Sequence, residues 1–311
     1  MGNKKLTLFQ GGIIFSVTEI LFLIFSFLNI FDNYFISGTV GEIGIILLPA
    51  VIFVLVFKKD IKENFRIRKV GAVNSIIIVI TMWFTIPVTL SASYISIIVV
   101  NMIFKNNIMA DVPMPNNLLQ FLLSVLVIGV FAAVCEEALF RGVLMSAAEK
   151  LGVRGSFILI SVIFALFHFN LEKAAGVFLL SLVICYIVYR TNSVFAGMIA
   201  HFTNNATAVL ISYIAMKMIP NALDSEQSVS DILNQSPGVM IFSVFILLFI
   251  ALVSGAVVVS LLYLLKTRTE KTKMIFEEKT KIRLKDFVTF LPGFIIMFGM
   301  YIYLIFQYIA G

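Results

Sequence analysis

The middle of the chain carries acidic residues at a spacing suited to activating water. The motif is Glu136-Glu137-x-x-x-Arg141. On a helix, Glu137 and Arg141 lie one turn apart, which is the favourable i, i+4 arrangement for an ion pair. Glu136 is turned about 100° away on the same helix and has no partner at that spacing. One carboxylate is therefore neutralised by a neighbouring cation, and the other is left for general-base chemistry.

The two histidines of the chain follow in later segments, at His168 and His201. A short turn separates Glu136 from His168, and both residues are equally far from its centre, so antiparallel helices would place them at the same depth. His201 and Asn205 share a helix face at i, i+4 and offer two hydrogen-bond donors, as an oxyanion hole requires. These residue types together predict water activation and attack on a carbonyl group.

The composition makes these polar groups informative. Of the 311 residues, 60% are hydrophobic and 13% are charged, and the mean hydropathy is +1.05, values that exclude a water-soluble domain and a nucleic-acid binder. A charge within the membrane costs at least about 2.5–3.5 kcal/mol, so such residues face a protein interior and commonly mark function. Glu19, isolated in the first apolar segment, has no partner in the sequence pattern and receives no role.

The apolar segments lack the period of two that is typical of transmembrane β-strands. They predict an all-α fold, a polytopic transmembrane helical bundle of about nine spans with a catalytic core of four helices. The segment 70–104 contains Pro87 and is predicted to be one kinked helix, because an even number of spans must separate the basic loops on its two sides. The predicted spans are 11–31, 43–57, 70–104, 117–149, 155–169, 173–189, 194–216, 238–265 and 287–308.

The distribution of Lys and Arg predicts the orientation, since these residues concentrate in cytoplasmic loops. With a cytoplasmic N-terminus, 19 of the 23 Lys and Arg lie on the cytoplasmic side. Most of them belong to four loops, which are 58–69, 150–154, 190–193 and 266–286. The expected location is an integral, multi-pass position in a bacterial cell membrane, with the active site facing the cytoplasmic half.

The chain is expected to comprise three regions. Residues 1–116 would form N-terminal spans that serve as a substrate groove or scaffold, and residues 117–216 would form the catalytic core. Residues 217–311 would add C-terminal spans with a basic cytoplasmic loop. That loop is interpreted first as a topology anchor, and contact with anionic lipid is the alternative.

Three motifs resemble the signature motifs of the CPBP intramembrane endopeptidases. They are Glu-Glu-x-x-x-Arg at 136–141, Phe-x-x-x-His at 164–168 and His-x-x-x-Asn at 201–205, in the family's order. This family includes type II CAAX prenyl endopeptidases and bacterial abortive-infection and bacteriocin-processing or immunity proteins. The resemblance covers about 117–215, and the flanking spans contribute little to it.

The resemblance implies roles for individual residues. Glu136 would be the general base, His168 would help to hold the water, and His201 with Asn205 would stabilise the oxyanion. The Glu137–Arg141 pair would support the site. The implied substrate is a membrane-associated peptide or protein within the lipid bilayer, and no cofactor and no nucleic-acid partner are expected.

Four alternatives remain open from the residues alone. Two Glu and two His could ligate zinc, although Arg141 beside Glu137 opposes a dication. Cys135 could be a nucleophile, but an apolar site beside carboxylates disfavours the reactive thiolate. The buried acids and histidines could instead form the proton relay of a transporter. A non-catalytic immunity protein that binds a bacteriocin or its receptor is the fourth alternative.

Overall fold

The computed structural model describes residues 5–105, 114–218, 237–274, 276 and 283–310. Throughout these ranges the regular structure is helical and no strand occurs. Eight of the described helices are long and apolar enough to cross a membrane. The chain is therefore an integral, multi-pass membrane protein, and the predicted all-α bundle is confirmed.

The long helices are numbered here in chain order. They are α1 (Leu8–Leu28), α2 (Tyr34–Val56), α3 (Ala72–Phe104), α4 (Leu118–Ala147), α5 (Gly152–Phe167), α6 (Ala174–Thr191), α7 (Val194–Met218), α8 (Pro237–Arg268) and α9 (Leu291–Ala310). Short helical turns are formed by Ile61–Asn64, Glu149–Leu151, Leu284–Asp286 and Val288–Phe290.

Helix α5 is the predicted span that falls short of membrane thickness. It has 16 residues and is therefore about 24 Å long at 1.5 Å per residue, against a hydrocarbon core of about 30 Å. For this reason eight helices, rather than the predicted nine, meet the length of a full crossing. His168 is the residue that caps the C-terminal end of this short helix.

Helix α2 begins nine residues before the predicted span 43–57. The side chain of Asn33 caps it by accepting hydrogen bonds from the backbone N–H groups of Phe35 and Ile36, at 3.0 and 3.1 Å. The added turns lead into a π-helical segment, Gly41–Leu47. Glu42, which the sequence placed outside the span, is consequently part of a membrane-spanning helix.

The predicted single helix around Pro87 is confirmed, because α3 runs unbroken through that residue. Helix α8 packs along α3, where the Ser91 hydroxyl donates to the Leu247 carbonyl at 3.0 Å. Helix α9 packs along α1. Helix α6 contacts α3, α5 and α7, and α7 contacts α3 and α4, so α3 packs against two of the four helices α4–α7.

One end of the bundle is closed by a buried ion-pair cluster. Both terminal nitrogens of Arg66 donate to Glu149 Oε1 at 3.1 Å, and Lys5 Nζ donates to Glu149 Oε2 at 2.6 Å. Burial lowers the pKa of the Arg66 guanidinium, and the Glu149 carboxylate counteracts that shift. The backbone N–H of Val194 donates to the Arg66 carbonyl at 3.1 Å. The end formed by Lys5, segment 58–71 and the α4–α5 and α6–α7 turns is called the basic end below.

Candidate active site

Helix α4 presents its polar motif between two π-helical segments. These segments are Val125–Phe131 and Ala138–Leu144. π-Helical turns leave carbonyls outside the regular i→i+4 pattern and occur often at functional sites. In both segments a side chain from elsewhere in the fold donates to a backbone carbonyl.

In the first segment that donor is Asn205. The Ala132 N–H donates to the carbonyls of Val127 and Gly129 and passes over Ile128. The Asn205 Nδ2 atom donates to the Ile128 carbonyl at 2.9 Å. Asn205 therefore joins α7 to α4, and one hydrogen of its amide is used structurally.

In the second segment the donor comes from the basic end. The Met145 N–H donates to the carbonyls of Phe140 and Gly142 and passes over Arg141. The Arg66 Nε atom donates to the Arg141 carbonyl at 3.0 Å. The buried cluster at the basic end thus also stabilises the geometry of the helix that carries the acidic motif.

Glu137 is the centre of a buried charge network. Arg141 Nη1 lies 2.7 Å from Glu137 Oε1, which confirms the ion pair predicted from the i, i+4 spacing. His201 Nδ1 lies 3.0 Å from the same oxygen. Because an ionised carboxylate only accepts, His201 Nδ1 must carry a hydrogen, and His201 Nε2 can donate only when the ring is doubly protonated. The sequence had paired His201 with Asn205 and missed its contact with Glu137.

Phe164 organises the aromatic side of the site. Its ring centroid lies 4.9 Å from that of His168 and 5.8 Å from that of His201, and the Arg141 guanidinium carbon lies 4.2 Å from it. The Phe164 carbonyl is 2.8 Å from His168 Nδ1. A carbonyl only accepts, so Nδ1 carries the hydrogen and Nε2 of a neutral His168 can accept one from water. The Phe-x-x-x-His spacing is explained by these contacts.

Arg141 extends the network to α6, where its Nη2 donates to the Ser181 hydroxyl at 2.8 Å. Gly197 brings the backbone of α7 close to the Glu137 carboxylate. A Cβ atom at this position would lie 2.5 Å from Glu137 Oε2 and 2.9 Å from Val188 Cγ2. A side chain there would displace the carboxylate, so the position requires glycine.

A cavity of about 430 Å³ contains Glu136 and His168. The structure therefore brings together the two residues that the depth argument had placed level. Most of the remaining lining comes from α1, α2 and the connection between them, and it includes Phe22, Phe25, Asn29, Ile30, Tyr34 and Glu42. His201 and Asn205 are not among the lining residues; they contact α4 at Glu137 and at the Ile128 carbonyl.

The cavity lies deep in the bundle and opens away from the basic end. Glu136 precedes the end of α4 by about 16 Å at 1.5 Å per residue, which is near the middle of a bilayer. The cavity extends from Glu136 to Asn29 and Ile30, between α1 and α2. This connection lies opposite the basic end, because α1 starts there and crosses the bundle once. The expected orientation of the site relative to the cytoplasm stays a prediction.

Glu42 is the polar residue of this cavity that the sequence reasoning missed. Its side chain lines the same cavity as that of Glu136. One oxygen of each carboxyl group, Oε2 in both cases, is buried without a hydrogen-bond partner among the described residues. The available signal was Asn33, a helix-capping residue that extends α2 far enough to include Glu42.

Two other residues singled out in the sequence are Cys135 and Glu19. The Cys135 thiol is free and buried next to the acidic motif. Glu19 is fully buried in α1, and neither of its oxygens has a hydrogen-bond partner within the described part of the chain. That part also holds no group of three or more His, Cys, Asp or Glu side chains arranged to bind a metal ion.

Comparison with known proteins gives one family match, which covers part of the chain. Residues 118–207 match the family model described as Rce1-like, type II CAAX prenyl endopeptidase Rce1-like. The resemblance to CAAX-type endopeptidases is thereby confirmed over this segment. The segment begins with α4, ends within α7 and contains every predicted site residue. The searches of curated proteins and of solved structures gave no match.

The match supports an intramembrane protease of the CAAX type in general. It does not extend to α1 and α2, which provide most of the cavity lining around Glu136. The matched segment therefore carries the polar groups, whereas the walls that a substrate would meet are specific to the N-terminal part of this chain.

A substitution of Asn205 tests its structural contact. We expect Asn205→Leu to lower the free energy of unfolding by about 0.5–1.5 kcal/mol, because it removes the hydrogen bond that joins α7 to the Ile128 carbonyl of α4. Chemical unfolding of the detergent-solubilised protein measures this change. Asn204→Leu is the matched control, since Asn204 donates only to the Asn205 side chain. Equal stability of the wild type and Asn205→Leu would contradict the assignment.

Proposed function

We propose that this protein is an intramembrane endopeptidase that hydrolyses a peptide bond in a membrane-associated peptide or protein. The observation that carries the proposal is the cavity shared by Glu136 and His168. It is supported by the family match, which covers both residues. The proposed location is a bacterial cell membrane, with the N-terminus in the cytoplasm, as the distribution of basic loops suggests.

In the proposed reaction a water molecule is held between the Glu136 carboxylate and Nε2 of neutral His168. Glu136 takes a proton from the water while the oxygen attacks the carbonyl carbon of the substrate. The carbonyl oxygen becomes an oxyanion in the resulting tetrahedral intermediate. Glu136 then passes its proton to the departing amine, and the C–N bond breaks.

Stabilisation of the oxyanion is assigned to His201 and Asn205, as the resemblance implies. His201 would act as an imidazolium that donates from Nε2, with Glu137 balancing its charge. Asn205 would use the amide hydrogen that is not committed to the Ile128 carbonyl. The Glu137–Arg141 pair and Phe164 hold these groups in place.

Glu42 is proposed as a positioning residue for Glu136. Two ionised carboxylates in one buried cavity repel each other, and Glu136 must be ionised to act as a base. Glu42 would therefore be the protonated partner and would orient the Glu136 carboxylate toward the water. The arrangement resembles, in chemistry only, the shared proton of paired catalytic carboxyl groups.

Substitutions of Glu42 test this role. Glu42→Leu removes the donor and is expected to lower kcat about tenfold or more with little change in KM. Glu42→Gln keeps a donor of similar size and should retain most of the activity. Steady-state kinetics on a cleavable peptide distinguish the two variants. Equal kcat values for Glu42→Leu and the wild type would contradict the proposal.

The function itself is tested with the purified protein in liposomes. A library of apolar peptides is added, and mass spectrometry detects new peptide termini. We expect new termini with the wild type, both with and without a chelator, because the proposed chemistry needs no metal. Loss of cleavage on chelation would instead support the zinc mechanism.

Two outcomes would favour the other functions. Proton-coupled uptake without new termini would support a transporter, in which Glu42, Glu136 and His168 relay protons. Stoichiometric binding of a bacteriocin or its receptor without cleavage would support an immunity protein. Either result would contradict the proposed endopeptidase.

A further inference from the structure

A second cavity, of about 470 Å³, lies at the basic end, away from Glu136. Several chain segments that are distant in sequence converge on it, namely the N-terminus, segment 58–71, the α4–α5 turn, the α6–α7 turn and the residues after α8. Its size is within the range of small-ligand sites. The proposed endopeptidase function assigns it no role.

The lining of this cavity is strongly basic. Its cationic side chains are Lys5, Arg66, Arg68, Lys69, Lys271 and Lys273, and its acidic side chains are Glu63 and Glu149. The described lining therefore carries a net charge of +4 when every group is ionised. Thr191, Thr272 and Asn192 add neutral hydrogen-bonding groups.

The acidic side chains are already engaged within the protein. Glu149 accepts from Arg66 and Lys5, and Glu63 pairs with Arg68 at 3.0 Å. The positive charge of the remaining lysines is therefore not cancelled by the lining.

Lys69 and Lys271 are the cations most accessible to a ligand. Both are exposed, and neither forms an ion pair with another described residue. Lys273 is paired outside the lining with Glu270, which also pairs with Arg190 at 2.8 Å. These two contacts lower the pKa of Glu270 to about 2. Lys69 and Lys271 are therefore the lysines of the lining that are available to contact a bound anion.

We propose that this basic-end cavity binds a phosphate group, carried by an anionic phospholipid at the membrane surface or present as the free ion. Concave sites that combine ammonium, guanidinium and hydroxyl donors suit the tetrahedral, multiply accepting phosphate oxygens. Basic pockets formed at the ends of membrane helices bind anionic headgroups by the same attraction. The buried Arg66–Glu149 pair holds the inner wall of the cavity rigid.

The test compares charge removal inside and outside the cavity. Lys69→Gln/Lys271→Gln removes two lining charges, and Arg154→Gln/Lys285→Gln removes two exposed charges from residues that do not line it. Each protein is placed in phosphatidylcholine nanodiscs with or without phosphatidylglycerol, in phosphate-free buffer. Native mass spectrometry then measures the phosphatidylglycerol retained after detergent extraction.

We expect the wild type to retain phosphatidylglycerol, and the cavity variant to bind it about ten- to thirty-fold more weakly. The outer-charge variant should bind as the wild type does. If both variants lose binding equally, general surface charge rather than the cavity is responsible, and the proposal is overturned.

Soluble ligands distinguish the sources of the phosphate. A rise in the thermal-unfolding midpoint with inorganic phosphate, lost only in the cavity variant and without lipid retention, would support the free ion as the ligand. Polyglutamate provides the comparison for a carboxylate partner. Binding of polyglutamate without binding of either phosphate ligand would overturn the proposal, as would the absence of all binding.

Discussion

Glu136→Gln is expected to abolish peptide-bond hydrolysis while the protein remains folded. Gln has nearly the same size as Glu but cannot accept the proton of the attacking water, so the loss should be at least about 10²- to 10⁴-fold in kcat. Glu136 is 8% exposed and lies at the edge of the cavity rather than in the fully buried Glu137–Arg141 network. For this reason its substitution should alter the thermal-unfolding midpoint little.

The matched control is Glu19→Gln, which makes the same chemical change in another buried glutamate of the bundle. Glu19 does not line the cavity and should therefore be dispensable for hydrolysis. Cleavage of a reporter peptide and thermal unfolding are measured for both variants. Retained hydrolysis in Glu136→Gln would contradict the assigned mechanism. Equal loss of hydrolysis in both variants would indicate a general effect of removing buried carboxylates.

Arg141→Met is expected to give the largest loss of stability. The substitution leaves the buried Glu137 carboxylate with His201 alone and also removes the donor to Ser181. Breaking a buried pair by removing one partner costs about 3–5 kcal/mol, because the other charge stays uncompensated. Unfolding in mixed micelles with increasing denaturing detergent measures the difference.

The double variant Glu137→Gln/Arg141→Met separates charge from packing. It removes both members of the pair, so it should be more stable than Arg141→Met alone, since no isolated charge remains in the interior. A double variant less stable than the single one would show that Glu137 does not depend on Arg141 for its compensation. Hydrolysis should be weak in both variants, because each disrupts the Glu137 network that orients His201.

Much of the local structure could be predicted from the sequence because it depends on short-range rules. The Glu137–Arg141 pair follows from one helical turn, and the continuous helix through Pro87 follows from the parity of basic loops. The level placement of Glu136 and His168 follows from the rise per residue along two antiparallel helices. Each of these inferences uses only spacing along the chain.

The missed features depend on contacts between distant segments. Glu42 shares the cavity with Glu136 because Asn33 starts α2 early and the π-helical segment Gly41–Leu47 places that side chain there. Asn205 and Arg66 each donate to a carbonyl of a π-helical segment in α4, and both contacts join residues far apart in sequence. Hydropathy carries no signal for either, because such turns do not change the apolar pattern of a helix.

The sequence by itself determined that this chain is a membrane helical bundle with a family-like polar motif set, since hydrophobic length and residue spacing are local properties. Only the tertiary structure decided which groups surround Glu136, where the cavity lies and which helices form its walls. The physical reason is that a cavity is the space left between packed helices. Its lining depends on helix starts, π-helical turns and crossing positions, all of which are fixed by contacts across the whole bundle.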